Sequence, residues 1–182
     1  MAGALVALAE RLQGLCLGRG LTVALAESCT GGLVAAAITS VPGSSGYFLG
    51  GVVSYSDSAK TATLDVAAAA LEAHGAVSAQ VAKAMATGAR ARFDASLAAS
   101  ITGVSGPDGG SEAKPVGLTY VGLASGDAVA VRRFTFAGDR EANREAAARA
   151  ALEWLIERAE APPGTSAQAG AAGQPRDEAD SA

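Results

Sequence analysis

Leucines at positions 5, 8, 12 and 15 recur at helical spacing, and the pattern stops at Gly18 to Gly20, which predicts a first amphipathic helix. A continuous apolar run from Leu21 to Ala26 reads as a short buried strand, and Leu33 to Thr39 reads as a second helix. Val41 to Gly46 has the Pro, Gly and Ser content of a surface loop. It leads through Tyr47 and Phe48 towards a strand around Gly51 to Tyr55. Ser56, Asp57 and Ser58 are cap-forming residues, so a helix carrying Lys60 begins there. Val66 to His74 reads as a further helix ended by Gly75, and Ser78 caps a longer one that carries Val81, Met85 and Phe93.

The second half of the chain turns to strands. Leu97 to Ile101 is a short apolar run that feeds a loop rich in backbone, with Gly103, Gly106, Pro107, Gly109 and Gly110. Lys114 to Gly117 introduces a strand over Leu118 to Ala124, and Ser125, Gly126 and Asp127 form a hairpin turn into Ala128 to Phe136. Val129 and Val131 keep one phase of alternation while Phe134 and Phe136 keep the other. That predicts a bulge near Arg132 and Arg133. Asp139 caps a final helix to about Glu160, with Leu152, Leu155 and Ile156 on its buried face. Helices interleaved with strands, with one late hairpin, predict an α/β fold: a three-layer α/β/α sandwich around a mixed sheet. One domain is expected over residues 1–160, with residues 161–182 a disordered tail of Pro, Gly, Ala, Ser and acidic residues that carries no chemistry.

Composition narrows the function. With 182 residues, 49% hydrophobic and 18% charged, the chain can bury a core of useful size. A net charge of −4 argues against a broad basic surface for nucleic acid, and small molecules or protein surfaces fit better. No run approaches the roughly 20 apolar residues of a membrane span, and Met1 to Glu10 lacks the basic flank of a signal peptide. Cys16, Cys29 and the single His74 cannot supply a zinc site or a disulfide framework. Each has a structural reading, the cysteines as small buried hydrophobes and His74 as a helix end, and together they point to a reduced, cytoplasmic protein. No metal or cofactor is expected.

Two clusters carry candidate chemistry. Glu27, Ser28, Cys29, Thr30, Gly31 and Gly32 lie at a strand-to-helix turn, where free N–H groups of a first helical turn make a seat for a phosphate, a carboxylate or an oxyanion. The same run also reads as a tight turn that needs glycine for its backbone angles. Tyr55, Ser56 and Lys60 lie within one strand-to-helix turn, and a partly desolvated lysine can take a proton from a serine. The Gly-rich loop from Thr102 to Gly110 has neither the spacing of a dinucleotide fingerprint nor that of a phosphate loop, so kinase and dehydrogenase readings are weak.

Taken together, Glu27 to Gly32, Gly43 to Ser45, Tyr55 to Asp57 with Lys60, Gly75 to Ser78, Thr102 to Gly110, Lys114 to Gly117 and Gly138 to Arg140 resemble the CinA C-terminal domain family over roughly residues 5 to 158. Its enzymatic members are nicotinamide-nucleotide amidohydrolases. The resemblance implies hydrolysis of the carboxamide of nicotinamide mononucleotide to nicotinate mononucleotide and ammonia, a stand-alone form of the domain, and a homodimer. It also implies that Ser45, Tyr55 and Lys60 are the functional serine, tyrosine and lysine, with Ser45 attacking, Lys60 as base and Tyr55 assisting. Ser28 is the alternative nucleophile. Thr30, Gly31, Gly32, Thr102, Gly103 and Arg140 are expected to bind substrate, with Arg140 as an anion contact. Asp57 stands where the family commonly has asparagine, and Ser105 where it commonly has alanine. The Asp57 carboxylate could hold Lys60 protonated and weaken it as a base. A non-catalytic nucleotide-binding or interaction module, linked to competence or DNA damage, stays open beside the enzyme, because fold alone does not fix function.

Overall fold

The structure, a computed structural model, describes residues 2–162. Its elements run α1 (Ala2–Arg19), β1 (Val23–Glu27), α2 (Leu33–Thr39), β2 (Phe48–Val53), α3 (Asp57–Leu64), α4 (Ala68–His74), α5 (Ala79–Phe93), β3 (Leu97–Gly103), β4 (Leu118–Ser125), β5 (Ala128–Thr135) and α6 (Arg140–Glu160), with a 3-10 turn at Ser44–Gly46. The tail expected after residue 160 falls almost wholly outside the described residues. Among the described residues no helix is long and apolar enough to cross a membrane.

The five strands form one mixed sheet in the order β2-β1-β3-β4-β5. The first three are parallel, β4 runs antiparallel to β3, and β5 antiparallel to β4. Helices α1, α2 and α6 pack together on one face, and α3, α4 and α5 on the other, which gives the three layers predicted from the element order. Leu12, Leu25, Ile38, Leu152 and Leu155 belong to the first core, and Leu64, Val66, Val81, Met85 and Ala98 to the second. All five residues of β1 are buried because the strand is central and covered on both faces. That is why Leu21 to Ala26 shows an apolar run and no alternation.

Caps appear where the polar residues predicted them. Ser56 Oγ accepts from Ala59 N at 3.1 Å, Ser78 Oγ from Val81 N at 3.3 Å, and Asp139 from Ala142 N at 2.9 Å. Each contributes about 1 kcal/mol and fixes where its helix begins. Strand β2 ends at Val53 because its register with β1 pairs Glu27 with Val53, so Tyr55 lies beyond the ladder.

The bulge expected near Arg132 and Arg133 is absent, since β4 and β5 pair without a register shift. Strand β5 instead presents apolar residues to both faces. Ala130, Phe134 and Phe136 join the core on the α6 side, and Arg132 takes its place among them by laying its guanidinium 4.4 Å over the Trp154 ring. Arg132 also pairs with Glu157 through two hydrogen bonds of 2.8 and 2.7 Å.

The C-terminal ends of β1, β2 and β3 lie at one edge of the sheet. From β1 the chain departs to α2 on one face, and from β2 to α3 on the other. The crevice opened by such a divergence is where an open α/β sheet builds a site.

Candidate active site

Ser28 is the first residue past β1, held there by its N–H to the Ile101 carbonyl at 2.9 Å. Lys60 lies in the first turn of α3 and is 1% exposed. Its Nζ donates to Ser28 Oγ at 3.2 Å, to the Ser54 carbonyl at 3.0 Å and to the Tyr55 carbonyl at 3.4 Å. The nearest carboxylate is Asp57 at 3.9 Å, itself largely exposed. Burial pushes the Lys60 pKa below its ordinary 10.5, and Asp57 opposes this only in part. Burial thus leaves the lysine easier to deprotonate than in water even with an aspartate at position 57.

Ser28, Tyr55, Lys60, Thr102, Gly103 and Arg140 line one cavity of about 280 Å³. Thr102 is anchored by its hydroxyl, which donates to the Ala76 carbonyl at 2.9 Å. Arg140, the first residue of α6, donates to the Gly106 carbonyl at 2.7 Å and to Tyr55 Oη at 3.0 Å. It thereby ties β2's exit, the Thr102 loop and α6 into one rim. A larger cavity, about 450 Å³, lies at the opposite end of the sheet beside Arg19, Leu21, Ser96 and Arg158, and it pairs no nucleophile with a base.

Three expectations need correction. Ser45 does not meet Lys60 within the chain: it is exposed in the turn before β2, at the strand's other end from Tyr55 and outside the cavity. A strand of that length separates the two by on the order of 20 Å. The first turn of α2 is no open anion seat either. The Glu27 carboxylate, 1% exposed, accepts from the N–H groups of Gly32 at 3.0 Å, Val34 at 3.2 Å and Ala35 at 2.8 Å. Thr30, Gly31 and Gly32 lie outside the cavity lining, and the Gly32 N–H serves this internal cap. Gly31 at φ 64° and Gly32 at φ 95° give the turn the backbone angles that let Glu27 reach those amides. The N–H group of Thr30 has no backbone acceptor among the described residues, and that of Cys29 faces its own sulfur.

Cys29 lines the cavity, but burial pushes its thiol up to about 11, and a hydrogen bond from Ser105 only partly offsets this. It is a neutral wall at ordinary pH. His74 contributes its carbonyl to Lys114 Nζ at 2.6 Å and takes no part in the cavity.

Sequence reading missed Asn143 and Asp108. Asn143 is buried and locks the rim: its amide donates to Ser105 O at 3.1 Å and Gly138 O at 2.8 Å, while its oxygen accepts from Gly138 N at 2.9 Å. A polar residue on an otherwise apolar helical stripe was the available signal. Asp108 lines the cavity from within the glycine-rich loop, beside the Ser105 that the family pattern singled out.

The family model for the CinA C-terminal domain matches residues 5–159. The chain belongs to that family. A CinA-like protein of Citrifermentans bemidjiense is 53% identical over 146 residues, which cover 80% of this chain and 35% of that protein. A CinA-like protein of Chlorobaculum tepidum is 51% identical over 158 residues, covering 84% and 37%. The chain thus spans about a third of the length of these curated relatives. Solved CinA-type structures match most of it. The competence/damage inducible protein CihA of Agrobacterium tumefaciens superposes with a TM-score of 0.82 at 41% identity, covering 84% of this chain and 94% of that one. A CinA superfamily protein of Escherichia coli gives 0.82 at 34% identity, covering 85% and 90%.

Proposed function

We propose that this CinA-family chain is an amidohydrolase, with Ser28 as nucleophile and Lys60 as general base, and that its substrate is nicotinamide mononucleotide. The observation that carries the reading is the 3.2 Å contact between Ser28 Oγ and a buried Lys60 Nζ whose pKa is lowered by burial. Ser45, the first choice from the sequence, gives way to Ser28 because only Ser28 reaches the base.

Neutral Lys60 takes the Ser28 proton as Oγ bonds to the amide carbon. The resulting ammonium then protonates the amide nitrogen, the C–N bond breaks and ammonia leaves. Water attacks the ester, gives a proton to Lys60, and the carboxylate departs as Ser28 regains its proton. The N–H group of Cys29, directly after the nucleophile and on the cavity wall, is the oxyanion donor in this scheme. Arg140 has donors beyond those used on Gly106 and Tyr55, and with the α2 terminus filled by Glu27 it is the phosphate contact. The reading implies a cytoplasmic protein acting on a free nucleotide.

Ammonia release from nicotinamide mononucleotide, in the presence of a chelator, tests it. Activity that persists, and that Ser28→Ala abolishes through kcat, is the expected result. Turnover that needs added metal, or that survives Ser28→Ala, overturns the scheme.

A further inference from the structure

The larger cavity, about 450 Å³, lies where β1 and β3 begin and β4 ends, at the far end of the sheet from Ser28 and Lys60. The fold holds its shape by polar ties. The Ser96 N–H donates to Thr22 Oγ1 at 2.9 Å and the Thr22 N–H to Ser96 Oγ at 3.1 Å, which joins the starts of β1 and β3. Arg19, the last residue of α1, donates to the Ala159 and Ala161 carbonyls at 2.7 and 2.9 Å and so clasps the end of α1 to the end of α6. Leu21, Leu97 and Ala161 supply apolar lining, and Ser125 adds a hydroxyl. A pre-formed, largely apolar cavity with a few polar groups is the usual make-up of a small-molecule site.

Arg158 sets the sign of the ligand. It lines the cavity half-buried in the last turn of α6, yet its guanidinium joins no hydrogen bond or ion pair among the described residues, and its Nε is buried without a partner. The acids beside it on α6 are already committed, Glu157 to Arg132 at 2.7 Å and Glu160 to Arg11 at 2.6 Å. No acidic side chain lines the cavity. A cation held partly out of water without a counter-charge is costly, and an anion bound beside it offsets that cost.

The helix ends limit how much negative charge fits. Both α1 and α6 finish at this cavity, and their last carbonyls carry the negative ends of the helix dipoles. A single carboxylate can pair with the guanidinium, whereas the second charge of a phosphate would lie against those carbonyls.

We propose that this cavity is a second ligand site, which takes a small organic monocarboxylate with an apolar body, the carboxylate on Arg158 and the body against Leu21 and Leu97. The site stands apart from the amidase reading, and its test needs no turnover. The chain's own Asp177, Glu178 and Asp180, which follow α6 in sequence outside the described residues, are the other source of a carboxylate, and the test separates the two.

Titration calorimetry of the full chain with hexanoate should give a Kd on the order of 1 mM or tighter, with hexanamide and inorganic phosphate each about tenfold weaker or more. Arg158→Leu should weaken hexanoate about tenfold with an unchanged circular dichroism spectrum. Should that variant unfold, Ala161→Trp, which fills the cavity and keeps the arginine, should weaken it as much. Arg140→Ala, in the other cavity, and the combined Asp177→Asn, Glu178→Gln and Asp180→Asn should leave the affinity within about twofold. Hexanoate that does not bind, binds no better than hexanamide or phosphate, or keeps its affinity in Arg158→Leu overturns the proposal. Loss with Arg140→Ala also overturns it, by placing the probe beside Ser28. Tightening when the three acids are neutralised overturns the free ligand in favour of the chain's own carboxylates.

Discussion

Lys60 Nζ lies closer to Ser28 Oγ, at 3.2 Å, than to any carboxylate, the nearest being Asp57 at 3.9 Å. A lysine buried for stability alone would be expected to find a close counter-charge, since an unpaired buried cation is costly. This one instead meets the Ser28 hydroxyl and the Ser54 and Tyr55 carbonyls at the cavity wall. Lys60→Met should therefore lower kcat by roughly a hundredfold to ten-thousandfold, and Lys60→Arg should not rescue it, because a guanidinium stays protonated. Steady-state kinetics on a folded variant decides; full rescue by arginine would show that charge, not proton transfer, is what the site uses.

The pH profile follows from the direction of the Lys60 shift. The neutral amine is the active form, so kcat/KM should rise with pH and level off below the ordinary lysine value of 10.5. Asp57 raises that pKa, so Asp57→Asn should move the rising limb to lower pH. Stability carries the same sign. The folded state holds this proton less tightly than the unfolded one, so the penalty is full below the folded pKa and fades as pH rises towards the unfolded value. Urea unfolding should show wild type gaining on Lys60→Met as pH rises towards the ordinary lysine value of 10.5.

Glu27 is a structural carboxylate with three amide partners. Glu27→Gln keeps the shape but turns one acceptor oxygen into a donor facing N–H groups. A loss of about 1–3 kcal/mol is expected, read from the urea midpoint. An unchanged midpoint would mean that water satisfies those amides as well.

Cys29 should resist alkylation. With its pKa near 11 and 7% of its surface exposed, about one thiol in a thousand is ionised at pH 8. Iodoacetamide should leave mass and activity unchanged in the folded protein and modify both cysteines after denaturation. Rapid labelling of the native chain would show that the Cys29 thiol is accessible and ionised in the fold.

Arg132→Ala should cost about 1 kcal/mol, the sum of a partly exposed ion pair and an Arg–Trp stack. Arg132→Leu should recover the packing on Trp154 but not the pair with Glu157. Thermal melts of the two variants separate these contributions.

Much of the fold could be read from the chain because local signals and tertiary context agree. Ser56, Ser78 and Asp139 are cap residues that do cap, and the apolar run after Leu21 is a strand covered on both faces. The alternation around Arg132 misled because an arginine that stacks on an indole counts as apolar on its inner side. The site was legible by residue type, with Ser28, Tyr55, Lys60, Thr102, Gly103 and Arg140 drawn to one cavity from five parts of the chain. What sequence could not supply was distance. Ser45 and Ser28 look equivalent as hydroxyls in Gly-rich turns, and only the course of β1 and β2 sets one beside Lys60 and the other at the far end of the sheet.

The carboxylate of Glu27 has one more effect. The amides of Gly32, Val34 and Ala35 are occupied before any ligand arrives, so inorganic phosphate or a stray carboxylate could lodge there only by expelling a buried side chain. The turn that presents Ser28 is thus closed to the commonest anions of the cell, and its shape does not depend on whether the cavity beside it is empty or filled.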